Sequence, residues 1–348
     1  GFIEYPRQEL PDEVKWGPEK WAIDYRDKNR INCHDTGTAP CKTACPAHIA
    51  VQGYLKLAAQ GKYREALQLI KRENPFPAVC GRICNRRCED ACTRGTVDQA
   101  VAIDEVKRFI AQQDLDAATR FVPEKVIPKV DGEFGEKIAV IGAGPAGMSC
   151  AFYLAEKGYR PTVFEKEERP GGMLMNGIPS FRLEKDVVQA EIDILREMGV
   201  EFRCGVEVGK DITIAQLREE GYQGFYVAVG LQSGGRLNIP GGEAQGVQAG
   251  IDFMRQVNGG QCGKLSGRVV VIGGGNISAD VARTALRCGA DSVDLYCLEG
   301  YEDMPMGEED RGECEREGIT IHAGWGQTEI VERDGKCAGI RFRKCLSV

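Results

Sequence analysis

The sequence predicts an α/β fold: two Rossmann-type dinucleotide-binding domains preceded by a small α-helical domain. Three observations predict it. Residues 137–147 and 268–278 each run an apolar strand into a glycine turn and out into a helix. Residues 49–110 carry apolar positions at helical spacing, broken by Gly61 and by Asn74-Pro75-Phe76-Pro77. Cysteines crowd that helical segment and the loop ahead of it, at Cys33, Cys41, Cys45, Cys80, Cys84, Cys88 and Cys92.

The first glycine turn reads Gly142-Ala143-Gly144-Pro145-Ala146-Gly147. Gly142 permits the sharp turn, Gly144 lets the backbone approach a pyrophosphate, and Gly147 lets the helix pack on the strand. The following helix N-terminus offers free N–H groups and a positive dipole end to phosphates. The next strand, Arg160–Glu165, ends in an acid placed for ribose hydroxyls. The later loop Arg169-Pro170-Gly171-Gly172-Met173-Leu174 is glycine-rich yet apolar, which suits a flat ring lying against it.

The second turn reads Gly273-Gly274-Gly275-Asn276-Ile277-Ser278, with Ser278 in place of the third glycine. Its next strand, Ser292–Cys297, leads to Leu298-Glu299. An acid there repels a 2′-phosphate and suits a 2′-hydroxyl, which predicts NAD(H) over NADP(H). Two such units in one chain are the arrangement for hydride exchange between a flavin and a nicotinamide.

Domain limits follow from these patterns. Residues 1–32, polar with Trp16 and Trp21, form an extension; 33–116 form the helical cysteine domain. Residues 117–136, with Pro123, Pro128, Gly132 and Gly135, form a linker. Residues 137–251 form the first dinucleotide domain and 252–348 the second.

Composition narrows the function. The 348 residues carry a formal net charge of −7 with the basic residues dispersed, so neither nucleic acid nor an anionic membrane is indicated as partner. No apolar run is long enough to span a bilayer. No secretory signal opens the chain, which predicts a cytoplasmic location. Fifteen cysteines without a secretion signal point to metal or redox chemistry rather than a disulfide framework. Zinc prefers tighter CxxC pairs than these, which favours iron–sulfur ligation.

With these residues in view, the chain resembles the small subunit of bacterial glutamate synthase and its relatives. These include the N-terminal part of dihydropyrimidine dehydrogenase, the large subunit of NADH-dependent ferredoxin:NADP oxidoreductase, and NADPH-linked iron oxidoreductase subunits. The resemblance rests on Gly1-Phe2-Ile3-Glu4-Tyr5, Ala44-Cys45-Pro46, Pro77-Ala78-Val79-Cys80-Gly81-Arg82-Ile83-Cys84 and residues 142–147. It rests also on Gly177-Ile178-Pro179-Ser180-Phe181-Arg182-Leu183, Ile239-Pro240-Gly241-Gly242-Glu243 and Gly273-Gly274-Gly275-Asn276.

The resemblance implies FAD on the first turn, contacting Gly142, Gly144, Pro145, Ala146, Gly147, Glu165, Gly172, Met173, Arg182 and Val208. It implies a nicotinamide cofactor on Gly273, Gly274, Gly275, Asn276, Ile277 and Glu299. It implies two [4Fe–4S] clusters, one on Cys33, Cys41 and Cys92, the other on Cys45, Cys84 and Cys88. Both fourth positions depart from the pattern, being Thr36 and Lys107, so one cluster is expected to be atypical. Cys80 is an available thiolate, and His34, His48, Asp104 and Glu105 are further candidates. The implied role is electron input from NAD(P)H, through FAD and the clusters, to a partner redox subunit. Those relatives return to the FAD domain with a late Gly-Asp segment. None precedes Val348, so a partial chain with an incomplete FAD domain is expected.

Two other readings compete. A thioredoxin-reductase-type enzyme needs a redox CxxC beside the flavin, and Cys262 stands alone in the sequence. A scaffold or relay subunit without flavin would keep the fold and fail to bleach with NADH. His322 is expected to be structural, and Met304-Pro305-Met306 to be either a loop near the nicotinamide or a solvated turn.

Overall fold

The computed structural model describes residues 39–127, 132–235 and 237–347. The extension with Trp16 and Trp21, together with Cys33, His34, Thr36 and Pro128, lies outside the described residues. The chain divides into two compact units, the break falling between Gln113 and Asp114.

The first unit is helical. Its elements are α1 (Pro40–Ala44), α2 (Val51–Ala59), α3 (Tyr63–Lys71), α4 (Pro77–Ile83), α5 (Arg87–Asp90) and α6 (Ile103–Ala111). Tyr54, Leu67, Ile70, Val79, Ile103 and Ile110 form its buried core, which is what their helical spacing demands. Gly81 makes the α4–α6 crossing tight, since a Cβ there would lie 2.8 Å from the Arg108 Cα. Both expected cysteine loops contain helix: Cys41 sits in α1, Cys80 in α4 and Cys88 in α5. Pro40 and Pro77 read as breakers in the sequence, but each occupies a first helical position, where its missing N–H costs nothing.

The second unit opens with β1 (Lys137–Ile141), α7 (Pro145–Glu156), β2 (Arg160–Glu165), α8 (Met173–Asn176), α9 (Lys185–Glu197), β3 (Glu201–Cys204), α10 (Ile214–Glu219) and β4 (Tyr222–Val227). The four strands form a parallel sheet in the order β3-β2-β1-β4, with α7 and α9 packed together and α7 lying against the sheet. This order puts the C-terminal ends of β1 and β2 side by side at the first glycine turn, where such sheets bind ligands.

Next come α11 (Gly250–Asn258), β5 (Arg268–Ile272), α12 (Asn276–Arg287), β6 (Ser292–Cys297), α13 (Glu308–Arg316) and β7 (Thr320–Ala323). The strands pair in parallel in the order β5-β6-β7. Helix α11 runs across residue 251, and its Phe253 and Met254 are buried in the core of this second half. A hairpin closes the described chain: β8 (Trp325–Arg333) and β9 (Lys336–Lys344), turning on Asp334 and Gly335, both at positive φ. It is tied to the segment joining the halves, Ile330 N–H donating to Pro240 O and Cys337 N–H to Gln245 O, each at 2.9 Å. Among the described residues no helix is long and apolar enough to cross a membrane.

Candidate dinucleotide and cluster sites

At the first turn, Gly142 has φ +107°, and a Cβ there would fall 2.3 Å from the Ala228 carbonyl oxygen. Gly147 is equally constrained: its Cβ would lie 1.9 Å from Gly142 O. Gly144 differs, because a Cβ there meets nothing within 4 Å. It caps α7, with Pro145 and Ala146 beginning a first turn whose N–H groups have no helical acceptors. The open space over Gly144 and those N–H groups are what a pyrophosphate needs.

The loop after β2 returns to this turn. Gly171 N–H donates to Ala143 O at 2.8 Å, and Gly172 lies so close that a Cβ would be 2.8 Å from Gly144 Cα. Met173 opens α8 directly behind it. Glu165 is buried and accepts from the N–H of Ala143 at 2.7 Å and of Glu167 at 3.0 Å. It therefore shapes the turn through the backbone, besides lying where ribose hydroxyls were expected. Val208 packs with Phe164 and Leu217 beside the sheet. Arg182, expected at the flavin, spends its terminal nitrogens elsewhere: Nη1 pairs with Asp280 at 2.8 Å and Nη2 with Asp310.

A cleft of about 370 Å³ lies at the end of β2, lined by Lys166, Glu167, Gln232, Ser233, Asp252 and Arg255. Sequence reasoning missed these residues. Nothing local to residues 232–233 brings them to the end of β2.

The second turn repeats the plan. Gly273 has φ +136°, and Ser278 fits the third-glycine position with its hydroxyl 2.7 Å from where a Gly273 Cβ would be. Gly275 is open, as Gly144 is. Asn276 starts α12, its Oδ1 accepting the Gly307 N–H at 2.9 Å, and Ile277 is exposed beside it. Glu299 lies over the turn, with Oε2 2.8 Å from the position of a Gly274 Cβ. Met304 and Met306 are buried, and Met306 N–H donates to Gly274 O at 2.9 Å. The solvated-turn reading of that loop is thus corrected: its methionines anchor it to the second turn.

His322 is structural. Its Nε2 bonds Asp294 at 2.8 Å and its ring stacks on Tyr296. Cys262 is not alone, since it and Cys288 pack against the same core of the second half. The pair sits at the far end of α12 from Asn276, about 18 Å away at 1.5 Å per residue. That places it away from the second glycine turn.

In the first unit, Cys41, Cys45, Cys80, Cys84, Cys88 and Cys92 are partly buried free thiols. Cys88 feels the charges of Cys84 and Cys45, while Cys41 feels those of Cys92 and Cys45. Burial first, then Cys84, pushes the Cys88 thiol up to about 11. Cys41 thus neighbours one member of each expected set, and Cys33 lies outside the described residues. Among the described residues no three His, Cys, Asp or Glu side chains converge on one metal ion. The donors are cysteine thiols, the ligand type of iron–sulfur clusters. Lys107 is buried and ion-paired with Asp104, beside Cys84 and Cys80. Cys80 donates its thiol to Asn74 Oδ1 at 3.6 Å, and His48 is exposed.

Comparison with known proteins accords with this geometry. Residues 23–119 match the family described as dihydropyrimidine dehydrogenase domain II, 4Fe-4S cluster, and residues 136–342 match pyridine nucleotide-disulphide oxidoreductase. The chain is 36% identical over 323 residues to the beta subunit of NADP(+)-dependent formate dehydrogenase of Moorella thermoacetica, covering 87% of this chain and 46% of that one. It is 33% identical over 326 residues to the NADPH glutamate synthase small chain of Escherichia coli, covering 89% and 67%. Several of the curated relatives it matches are about twice its length or more. Mycobacterium tuberculosis FprA in complex with NADPH shares the fold, with TM-score 0.53 and 20% identity over 60% of this chain and 63% of that one. The two glycine turns, the cysteine-bearing helical unit and these matches agree: the chain belongs to the pyridine nucleotide-disulphide oxidoreductase family, among the FAD- and NAD(P)-dependent iron–sulfur oxidoreductases that include the glutamate synthase small chain.

Proposed function

We propose that this chain is an electron-input subunit, taking hydride from NADH and delivering single electrons to a partner redox subunit. The observation that carries the reading is the pair of open glycines, Gly144 and Gly275, each at a helix N-terminus within one compact unit. One dinucleotide fits each. FAD at the first turn would supply the conversion of one hydride into two single electrons. Around it, Gly142, Pro145, Ala146 and Gly147 shape the turn, Gly172 and Met173 close the loop behind it, and Glu165 fixes the Ala143 amide.

Glu299 supports a preference for NADH. Its carboxylate lies over Gly274, where the 2′-phosphate of NADPH would meet like charge and a 2′-hydroxyl would meet an acceptor. The cysteine sets Cys33, Cys41, Cys92 and Cys45, Cys84, Cys88 would hold two clusters, with Cys80 a candidate to complete one of them. Relatives described as beta subunits and small chains support delivery to another subunit.

The test is purification under anaerobic conditions with partners retained, followed by iron, sulfide and flavin quantitation and titration with NADH. Flavin that bleaches with NADH, together with about eight iron atoms per chain, is expected for two four-iron clusters. A preparation without flavin favours the scaffold reading and sinks this one. For the nicotinamide choice, Glu299→Arg should shift the NADH-to-NADPH turnover ratio toward NADPH; an unchanged ratio rejects the role given to Glu299.

A further inference from the structure

The loop after β2 touches both halves of the second unit. One end lies on the first glycine turn through Gly171 and Gly172. The other end grips the helices of the second half. Arg182 is divided between Asp280 on α12 and Asp310 on α13, both buried. The Phe181 ring lies 4.8 Å from the Arg283 guanidinium and 4.0 Å from that of Arg287. Those arginines are themselves held by Glu317, with Glu313 also on Arg283. From α11, Asn258 Nδ2 donates to Asn176 O at 3.0 Å and Ile178 O at 3.1 Å.

Helix α12 begins at the second glycine turn, so the chain of contacts runs unbroken from one nucleotide turn to the other. Phe181, Arg182 and Asn258 carry it, and Arg182 is the link made of two ion pairs. A planar guanidinium can engage two carboxylates at once and hold their relative directions, which a lysine cannot do. Both terminal nitrogens of Arg182 are directed to these aspartates. The charged triad joins the loop after β2 to α12 and α13.

We infer that Arg182, clasped by Asp280 and Asp310, is a positioning residue that fixes the distance between the flavin and nicotinamide sites. The inference rests on the hydride-transfer reading above, in which NADH, oxidised flavin and one proton give NAD+ and reduced flavin. That step requires the donor carbon and acceptor nitrogen to be held in contact, and a displacement of about 1 Å costs about 100-fold in rate. Loss of the clasp should therefore slow transfer while leaving each cofactor on its own turn.

The test uses the full chain with its cofactors and anaerobic rapid mixing with NADH. Arg182→Met should keep wild-type flavin content and an NADH Kd within about twofold, while the limiting rate of flavin bleaching falls about 100-fold. Asp310→Asn should give a smaller loss of the same kind, and Arg182→Lys an intermediate one. Amide exchange provides a readout separate from turnover: residues 177–183 should exchange faster in Arg182→Met, with the turns at 142–147 and 273–276 unchanged. Wild-type bleaching rates in both Arg182→Met and Asp310→Asn overturn the inference. So does loss of flavin from Arg182→Met, which would place Arg182 in the flavin pocket. If the wild-type chain binds no flavin, the functional reading fails, and unchanged exchange at residues 177–183 would then reject the clasp as well.

Discussion

The buried carboxylate of Glu165 accepts the Ala143 N–H at 2.7 Å, joining the end of β2 to the turn that follows β1. Its other oxygen accepts from Glu167. A glutamine there has one acceptor oxygen, so Glu165→Gln must leave one of these N–H groups without its partner. The expected cost is about 1–3 kcal/mol, read from urea unfolding, with flavin content falling in parallel. An unchanged unfolding midpoint would mean that this carboxylate does not shape the turn.

Glycine substitutions separate folding from binding. Gly144→Ala places its methyl in open space at an ordinary φ of −74°, so the chain should fold normally and lose flavin affinity. Gly147→Ala drives its methyl into Gly142 O and should fail to accumulate as folded protein. Soluble yield and flavin absorbance check both. Flavin retention by Gly144→Ala would argue that the pyrophosphate does not lie over that residue.

Lys107 and Asp104 form a buried ion pair in the cysteine unit. Removing one partner of such a pair leaves an uncompensated charge, at a typical cost of about 3–5 kcal/mol. Lys107→Met should show that loss in denaturant unfolding, and Asp104→Asn combined with Lys107→Met should recover most of it. An additive double variant would show that the two groups are not coupled.

Lys185 gives a pH signature. Burial, with Arg169 nearby, pushes its ammonium down to about 8, while Asp280 opposes that shift. It donates to Leu174 O at 2.9 Å and to Ile178 O. Between about pH 8 and the unfolded value of 10.5, the unfolded chain binds the extra proton. Stability should therefore rise with pH across that window. Lys185→Met should flatten the rise in urea midpoints; an equal slope in both proteins would locate the titration elsewhere.

The glycine turns and their strands were legible because each is set by neighbours in sequence. Gly142, Gly144 and Gly147 state their own geometry, and Glu165 ends the next strand in register. Helices starting at Pro40 and Pro77 were hidden because proline reads as a breaker unless it is known to stand first. Arg182 was legible as part of a motif but not in its contacts, since Asp280 and Asp310 are distant in sequence and meet it only through packing of α12 and α13. That Cys262 and Cys288 share a core was hidden for the same reason, one thiol lying before β5 and the other at the end of α12.

The Tyr296 ring lies between those of His322 and Phe342, at centroid distances of 4.2 and 3.9 Å and within 12° of parallel. These rings come from β6, β7 and β9, so one column joins the parallel sheet to the terminal hairpin. Aromatic rings held rigidly in an asymmetric stack contribute to near-ultraviolet circular dichroism, a signal lost when fixed packing is lost. The second half thus carries a built-in optical gauge of whether its hairpin is seated, legible without any cofactor.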